Sequence, residues 1–268
     1  MLTRILAALA ALPLFFLAVY FTPPWVLPVA LALLSGLAAY EMLHNTGMVK
    51  CPVLLTASVL LAAAAVLLDY FLTLPLIAFV MPAAAVIFTI GIFSKGEIPW
   101  QALFGAFFSA VFLPLAFGAI GRIQRMDGGD ALILVPFIAA WGTDTCAYFA
   151  GRFFGKHKLA PIVSPKKTVE GAIGGVIGCI LLMIAYAFAA EAIWDVTLSL
   201  PALAVLALVG SVISQIGDLS MSYIKRGLGI KDYGKIMPGH GGILDRFDSV
   251  LFTAPFTELL LMYITVVL

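Results

Sequence analysis

Nine apolar runs, each close to the length needed to cross a lipid bilayer, leave this chain few folds to choose from. A hydrocarbon core of about 30 Å needs about 20 residues of helix. The runs 5–21, 25–43, 53–71, 74–93, 101–121, 131–151, 171–190, 199–217 and 249–268 all approach that length. Hydrophobic residues make up 63% of the chain and charged ones 11%, against about 45–50% and about 25% in a soluble domain. No soluble core of 268 residues could hide so much apolar surface. The expectation is an all-α, polytopic integral membrane protein: one domain of about nine transmembrane helices with short loops. Thr22-Pro23-Pro24 separates the first two runs and Leu74-Pro75 marks the turn between the third and fourth, because proline cannot continue a helix through its interior. Arg4 ahead of the first run also resembles the start of a signal peptide. No clear cleavage site follows, so a retained helix is expected.

Orientation follows from the cations, because Lys and Arg near helix ends stay on the cytoplasmic side. With the N-terminus inside, that side receives Arg4, Lys50, Lys95, Arg152, Lys156, Lys158, Lys166, Lys167, Lys225, Arg226, Lys231, Lys235 and Arg246; only Arg122 and Arg125 fall outside. The two long polar connections, 152–170 and 218–248, are then both cytoplasmic, and chemistry is expected there. A net charge of +1 offers nucleic acid no general attraction. Cys51, Cys146 and Cys179 are too few and too scattered for a disulfide framework or a metal-binding spacing, and read as small apolar residues. No repeat relates two halves of the chain in the manner of a transporter.

Counting back from Lys225 at helical spacing gives Ser222, Asp218, Gln215 or Ser214, and Ser211. These share one face of a helix whose other faces carry Val209, Val212, Ile213 and Leu219. Such a polar stripe must face other protein, water or a bound polar ligand. Interhelical hydrogen bonding explains the serines better than it explains Asp218 and Lys225.

Beyond the stripe lies the densest polar stretch, with six glycines between residues 227 and 242. Glycine lets backbone amides approach a ligand closely, as loops that cradle phosphate require. Asp245 and Asp248, three apart at the start of the last helix, are expected to share a face and to ligate Mg²⁺ together with phosphate oxygens. His240 could bind phosphate, ligate metal, exchange a proton or stabilise a turn. His44 and His157 read as loop residues.

In the other connection, Ser164-Pro165-Lys166-Lys167-Thr168-Val169-Glu170 reads as a helix start, with Ser164 as cap and Pro165 at the first helical position. Free amides and two ammonium groups suit a polyphosphate there, although Lys166 and Lys167 could equally be anchoring cations. Glu170 is either a first-turn acid or a partner to the site. Gly171, Gly174, Gly175 and Gly178 have the spacing of close helix packing. Asp144, near the middle of the sixth run, is read as functional, because an unpaired carboxylate at that depth costs a few kcal/mol.

Two stretches together resemble a known family. They are Ser222-Tyr223-Ile224-Lys225-Arg226 through Lys231-Asp232, and His240-Gly241-Gly242-Ile243-Leu244-Asp245-Arg246-Phe247-Asp248. They are similar to the phosphatidate cytidylyltransferases, or CDP-diacylglycerol synthases. Ser164 through Gly171 and the surroundings of Asp144 extend the resemblance over the C-terminal half, whereas the N-terminal half matches in hydropathy alone. On this resemblance the chain divides into N-terminal helices over 1–121 and catalytic helices and loops over 131–268. The resemblance implies a membrane enzyme of phospholipid biosynthesis that takes CTP and phosphatidic acid, releases CDP-diacylglycerol and pyrophosphate, depends on Mg²⁺ and forms a homodimer, with its site facing the cytoplasm of the bacterial inner membrane.

Attack of a lipid phosphate on the α-phosphorus of CTP calls for positioning and charge neutralisation. The expected metal ligands are therefore Asp218, Asp245 and Asp248, with Asp144 beside them. The expected phosphate ligands are Lys225, Arg226, Lys166 and Lys167, with Ser164, Thr168 and Glu170 in the nucleotide-binding segment and His240 in the catalytic set. A related enzyme with another lipid acceptor, or a CTP-dependent lipid kinase, would share this chemistry. A secondary transporter would account for the helices, Asp144 and the stripe, but not for the glycine-rich loop or the clustered aspartates.

Overall fold

The computed structural model describes residues 13, 15–72, 74, 77–236 and 241–268, and the chain separates into two compact units. The first comprises residues up to Gly121 together with Ile230–Phe247; the second comprises Arg122–Gly229 and Asp248–Leu268. The glycine-rich loop thus belongs with the N-terminal helices, although the sequence runs it on from the polar stripe.

Helices α1 (Val26–Tyr40, prolonged by a π-helical turn Glu41–Asn45), α2 (Pro52–Leu72), α3 (Ile77–Phe93) and most of α4 (Trp100–Gln124) build the first unit. Small residues bring α1 and α2 together. Ser35 Oγ donates to the Ala62 carbonyl at 3.0 Å, and a Cβ on Gly36 would sit 3.4 Å from that of Ala63.

The second unit begins with a broken helical run over Gly129–Phe154: α5 (Gly129–Leu132), α6 (Val135–Phe137), a π-helical turn Ile138–Gly142 and α7 (Thr143–Phe154). A two-stranded antiparallel hairpin follows, β1 (Lys158–Ala160) against β2 (Ser164–Thr168), and then α8 (Val169–Trp194) and α9 (Leu200–Gly227). The short α10 (Leu244–Phe247) closes the glycine-rich loop in the first unit, and α11 (Val250–Leu261) returns to the second. The core of the second unit gathers Ile123, Leu132, Cys179, Met183, Leu203 and Leu206.

Six of these helices are long and apolar enough to cross a membrane, and two shorter apolar ones cover Ala78–Phe93 and Val250–Leu261. Eight of the nine expected runs thus have a helical counterpart; the first, 5–21, lies mostly outside the described residues. In α8 only 22% of the most apolar window is buried. Leu181 and Ile193 stand on that exposed surface, as they do when lipid is the solvent. The protein is an all-α integral membrane protein carrying one small hairpin.

Two boundaries differ from expectation for physical reasons. Helix α9 runs ten residues past 217, since Asp218, Ser222 and Lys225 continue its face in polar form. The last helix stops at Leu261, not 268, and its 12 residues rise about 18 Å. The end of the chain turns back instead, with Ser199 N–H donating to Val266 O at 2.8 Å and Leu268 N–H to Thr197 O at 2.9 Å.

Candidate active site

In the second unit, α7, the hairpin, the start of α8 and the middle of α9 enclose a cavity of about 500 Å³. Helix α7 supplies Asp144, Tyr148 and Arg152, spaced by four and so stacked on one face. Helix α9 adds Gln215 and Asp218, β2 adds Lys166 and Lys167, and α8 adds its first residues. That α8 comes so near α7 is the work of glycine. A Cβ on Gly175 would sit 3.0 Å from that of Ala147 and 3.1 Å from the Thr143 carbonyl, which bears out close packing as the reason for the glycine spacing.

The helix start is placed differently from the sequence reading. Ser164 does not cap it: Ser164–Thr168 is a strand, and α8 begins at Val169 with Thr168 as its cap. Thr168 is extended and its Oγ1 accepts from the Gly171 N–H at 3.1 Å. The residue before Pro165 is biased toward extended backbone, and pairing Lys158 with Thr168 carries the extension to the cap. Lys166 is exposed and Lys167 half-buried. Glu170 ties down the hairpin, accepting from the Lys156 N–H at 3.0 Å and lying 2.6 Å from His157 Nδ1. His157 is thereby anchored, and His44 lies in the π-helical turn, stacked on Tyr40.

Charge is concentrated within this unit. Lys167 Nζ forms an ion pair with Asp218 Oδ2, and Ser222 Oγ donates to Asp218 Oδ1 at 3.3 Å. Ser249 Oγ donates to Asp144 Oδ2 at 3.0 Å, and the Ser249 N–H to Asp248 Oδ1 at 2.9 Å. Asp248 keeps part of its surface open, yet the atoms packed around its carboxyl, the nearby Asp218 and to a smaller degree Asp144 push it up to about 7, against the pull of Lys225. Lys225 itself is buried, and the exposed Arg226 points its Nε toward the Val163 carbonyl. Part of the polar stripe of α9 faces protein, with Ser214 Oγ donating to Ala140 O at 3.4 Å and Gln215 Nε2 to Ala172 O at 3.3 Å, while Gln215 and Asp218 also line the cavity.

Asp245 and Asp248 do not share one continuous helix. Helix α10 ends at Phe247, and a turn at 248–249 precedes α11. The Asp248 carboxylate takes a neighbouring backbone amide, the local competition that interrupts helices at aspartate. Asp245, in the first unit, is engaged by its own loop: its Oδ2 accepts from the N–H groups of Tyr233 at 2.8 Å and Gly242 at 2.9 Å. Four loop amides, those of Tyr233, Gly242, Ile243 and Leu244, thus donate to carboxylates of the chain itself, the last two to Glu41. His240 lies outside the described residues.

Sequence reasoning passed over Tyr148, Arg152 and Glu41. Counting forward from Asp144 in steps of four would have found the first two. Glu41, an acid inside the second apolar run, carried the same signal that singled out Asp144.

Among the described residues no three His, Cys, Asp or Glu side chains are placed to hold a metal ion by themselves. The donor chemistry nonetheless suits Mg²⁺, which takes hard anionic oxygens and is commonly held by one or two carboxylates plus substrate phosphates. Asp218 and Asp144 each lie within electrostatic reach of Asp248, and all three offer oxygens of that hard anionic kind.

The sequence profile of the cytidylyltransferase family matches residues 2–264. The chain belongs to that family. Within it, 163 residues, 59% of the chain, are 43% identical to 61% of a phosphatidate cytidylyltransferase of Staphylococcus haemolyticus strain JCSC1435. A relative of the same name from Staphylococcus saprophyticus is 41% identical over 164 residues, 59% of the chain and 62% of its own length. Another from Staphylococcus aureus strain COL is 41% identical over 162 residues, 59% and 61%. The matched part of this cytidylyltransferase-family chain spans about three fifths of the length of each relative.

Proposed function

We propose that the protein transfers the cytidylyl group of CTP to phosphatidic acid, forming CDP-diacylglycerol and releasing pyrophosphate. The observation that carries this reading is the meeting, in one cavity of a membrane protein, of Lys166, Lys167 and Arg152 with Asp144 and Asp218. Cations to hold phosphates and carboxylates to hold a divalent cation are the two requirements of nucleotidyl transfer. Membership of the cytidylyltransferase family and the names of the relatives support the nucleotide and the lipid.

In the step itself, a phosphate oxygen of the lipid attacks the α-phosphorus of CTP. The bond from that phosphorus to the bridging oxygen breaks, and the β- and γ-phosphates leave as pyrophosphate. Lys166, Lys167 and Arg152 orient the phosphates and offset their charge. Lys225 neutralises Asp248, and Ser249 orients Asp144. A Mg²⁺ ion held by Asp144, Asp218 and Asp248 would supply further stabilisation of the charge that develops on the leaving group.

The cation distribution supports a site facing the cytoplasm of a bacterial inner membrane, and the family resemblance supports a homodimer. Cysteine labelling from either side of intact cells tests the first, and the mass of the detergent-solubilised particle tests the second. The activity is tested by incubating purified protein with labelled CTP, Mg²⁺ and a panel of lipid phosphates and lipid alcohols. CDP-diacylglycerol and pyrophosphate in equal amounts are expected. Labelled product on another lipid only, or none, would overturn the assignment of phosphatidic acid.

A further inference from the structure

The glycine-rich loop is held by a carboxylate that lies far from it in the chain. Glu41, fully buried, opens the π-helical turn at the end of α1. Its Oε1 accepts from the Ile243 N–H and its Oε2 from the Leu244 N–H, both at 3.0 Å, so both oxygens meet the backbone where α10 begins. Four residues along the same turn, Asn45 Nδ2 donates to the Tyr233 carbonyl at 3.0 Å. Tyr233 is therefore gripped at both backbone groups, its carbonyl by Asn45 and its N–H by Asp245.

The packing around Glu41 explains the loop's composition. A Cβ on Gly242 would fall 2.5 Å from the Glu41 Cδ, and one on Gly234 2.8 Å from it. A side chain at either position would have to displace a carboxylate that arrives from another helix. A buried acid costs several kcal/mol unless hydrogen-bonded, and a turn of π-helix inside an α-helix is a common way of aiming side chains at functional sites.

We propose that Glu41 and Asn45 are positioning residues for the reaction: by holding the backbone at Tyr233 and at Ile243–Leu244 they fix the start of α10, from which the chain runs through Phe247 into Asp248. This rests on the reading of Asp248 as part of the active site. Neither residue touches substrate in this role; each acts through the loop it holds.

The test pairs loop order with kinetics in the full-length protein. Glu41→Gln keeps the size but sets an NH₂ group against one of the two amides. Hydrogen exchange of residues 241–244 should quicken by about tenfold or more, the effect of losing a charged hydrogen bond, while α8 and α9 exchange at the wild-type rate. Turnover should fall about tenfold to a hundredfold, as small misplacements far from the chemistry do, while KM for CTP shifts less than about twofold because the cavity cations remain in place. Asn45→Ala should move both readouts the same way to a smaller degree, and decides the matter if Glu41→Gln fails to fold. A faster-exchanging loop with wild-type turnover would sink the proposal and leave Glu41 as a packing residue; unchanged exchange would sink the clamp itself. Absence of cytidylyl transfer by the wild-type protein would overturn the reading of the site, and this proposal with it, independently of what the variants do.

Discussion

Lys167, next to the end of β2, and Asp218, two thirds of the way along α9, are joined as an ion pair on the wall of one cavity, each side chain about a quarter exposed. Each thereby fixes the orientation of the other across that wall.

Removing the cation should therefore act on binding first. Lys166→Ala together with Lys167→Ala is expected to raise KM for CTP by about tenfold or more, since charge-assisted contacts to phosphate are worth about 1.5–3 kcal/mol each. Steady-state kinetics of the double variant check this. Wild-type KM would return both lysines to anchoring the membrane face.

For the acids, Asp→Asn keeps the volume and removes the charge. Asp144→Asn, Asp218→Asn and Asp248→Asn should each fold and lose about a hundredfold or more in turnover, a few kcal/mol of transition-state stabilisation. Asp245→Asn should lose less and lower the melting temperature, because its carboxylate holds Tyr233 and Gly242. Asp127→Asn, away from the cavity lining, serves as the silent control. Initial rates and melting curves of the purified variants separate these patterns.

Metal binding has a readout independent of activity. A ligand that binds the folded state alone raises its stability by RT ln(1 + [L]/Kd), about 2.7 kcal/mol at a hundredfold excess over Kd. Millimolar Mg²⁺ should raise the melting temperature of the wild-type protein and shift that of Asp248→Asn much less. Equal shifts in the two proteins would remove Asp248 from the metal set.

Arg122 and Glu258 make a two-pronged ion pair, Nε to Oε1 at 2.5 Å and Nη2 to Oε2 at 2.9 Å, with 22% and 9% of their side chains exposed. Glu258→Gln is expected to cost about 1–3 kcal/mol, below the full penalty of breaking a buried pair because the arginine keeps some access to solvent. Thermal unfolding in detergent measures it, and turnover per folded molecule should stay at the wild-type level.

Gly175→Val should force α7 and α8 apart, for its Cβ would already lie 3.0 Å from Ala147 and 3.1 Å from a backbone carbonyl. A loss of about 1–3 kcal/mol, with lower turnover through the displaced Asp144 on α7, is the expected result. Gly227→Val, at a position whose Cβ would meet nothing within 4 Å, is the matched control for the loss of stability.

The membrane class and the helical runs were legible in the sequence because they depend on local properties: apolar length and the 3.6-residue period. The resemblance through residues 222–248 led to the same family that the whole-chain match establishes. Other features depend on where distant segments come to rest, which no local period encodes. Ser164 and Thr168 both look like caps in isolation, and only the pairing of Lys158 with Thr168 makes the latter the cap. Asp245 and Asp248 look alike at a spacing of three, yet one accepts from its own loop and the other lies in electrostatic contact with Asp218 and Asp144. The glycines at 234 and 242 resemble a phosphate cradle until Glu41, some 200 residues upstream, is found against them. Composition and periodicity determined the solvent, the helices and the kinds of groups available. Tertiary packing alone decided which carboxylate meets a lysine, which meets a backbone amide and which remains desolvated beside other acids, because a side chain's role is set by its partners across the fold.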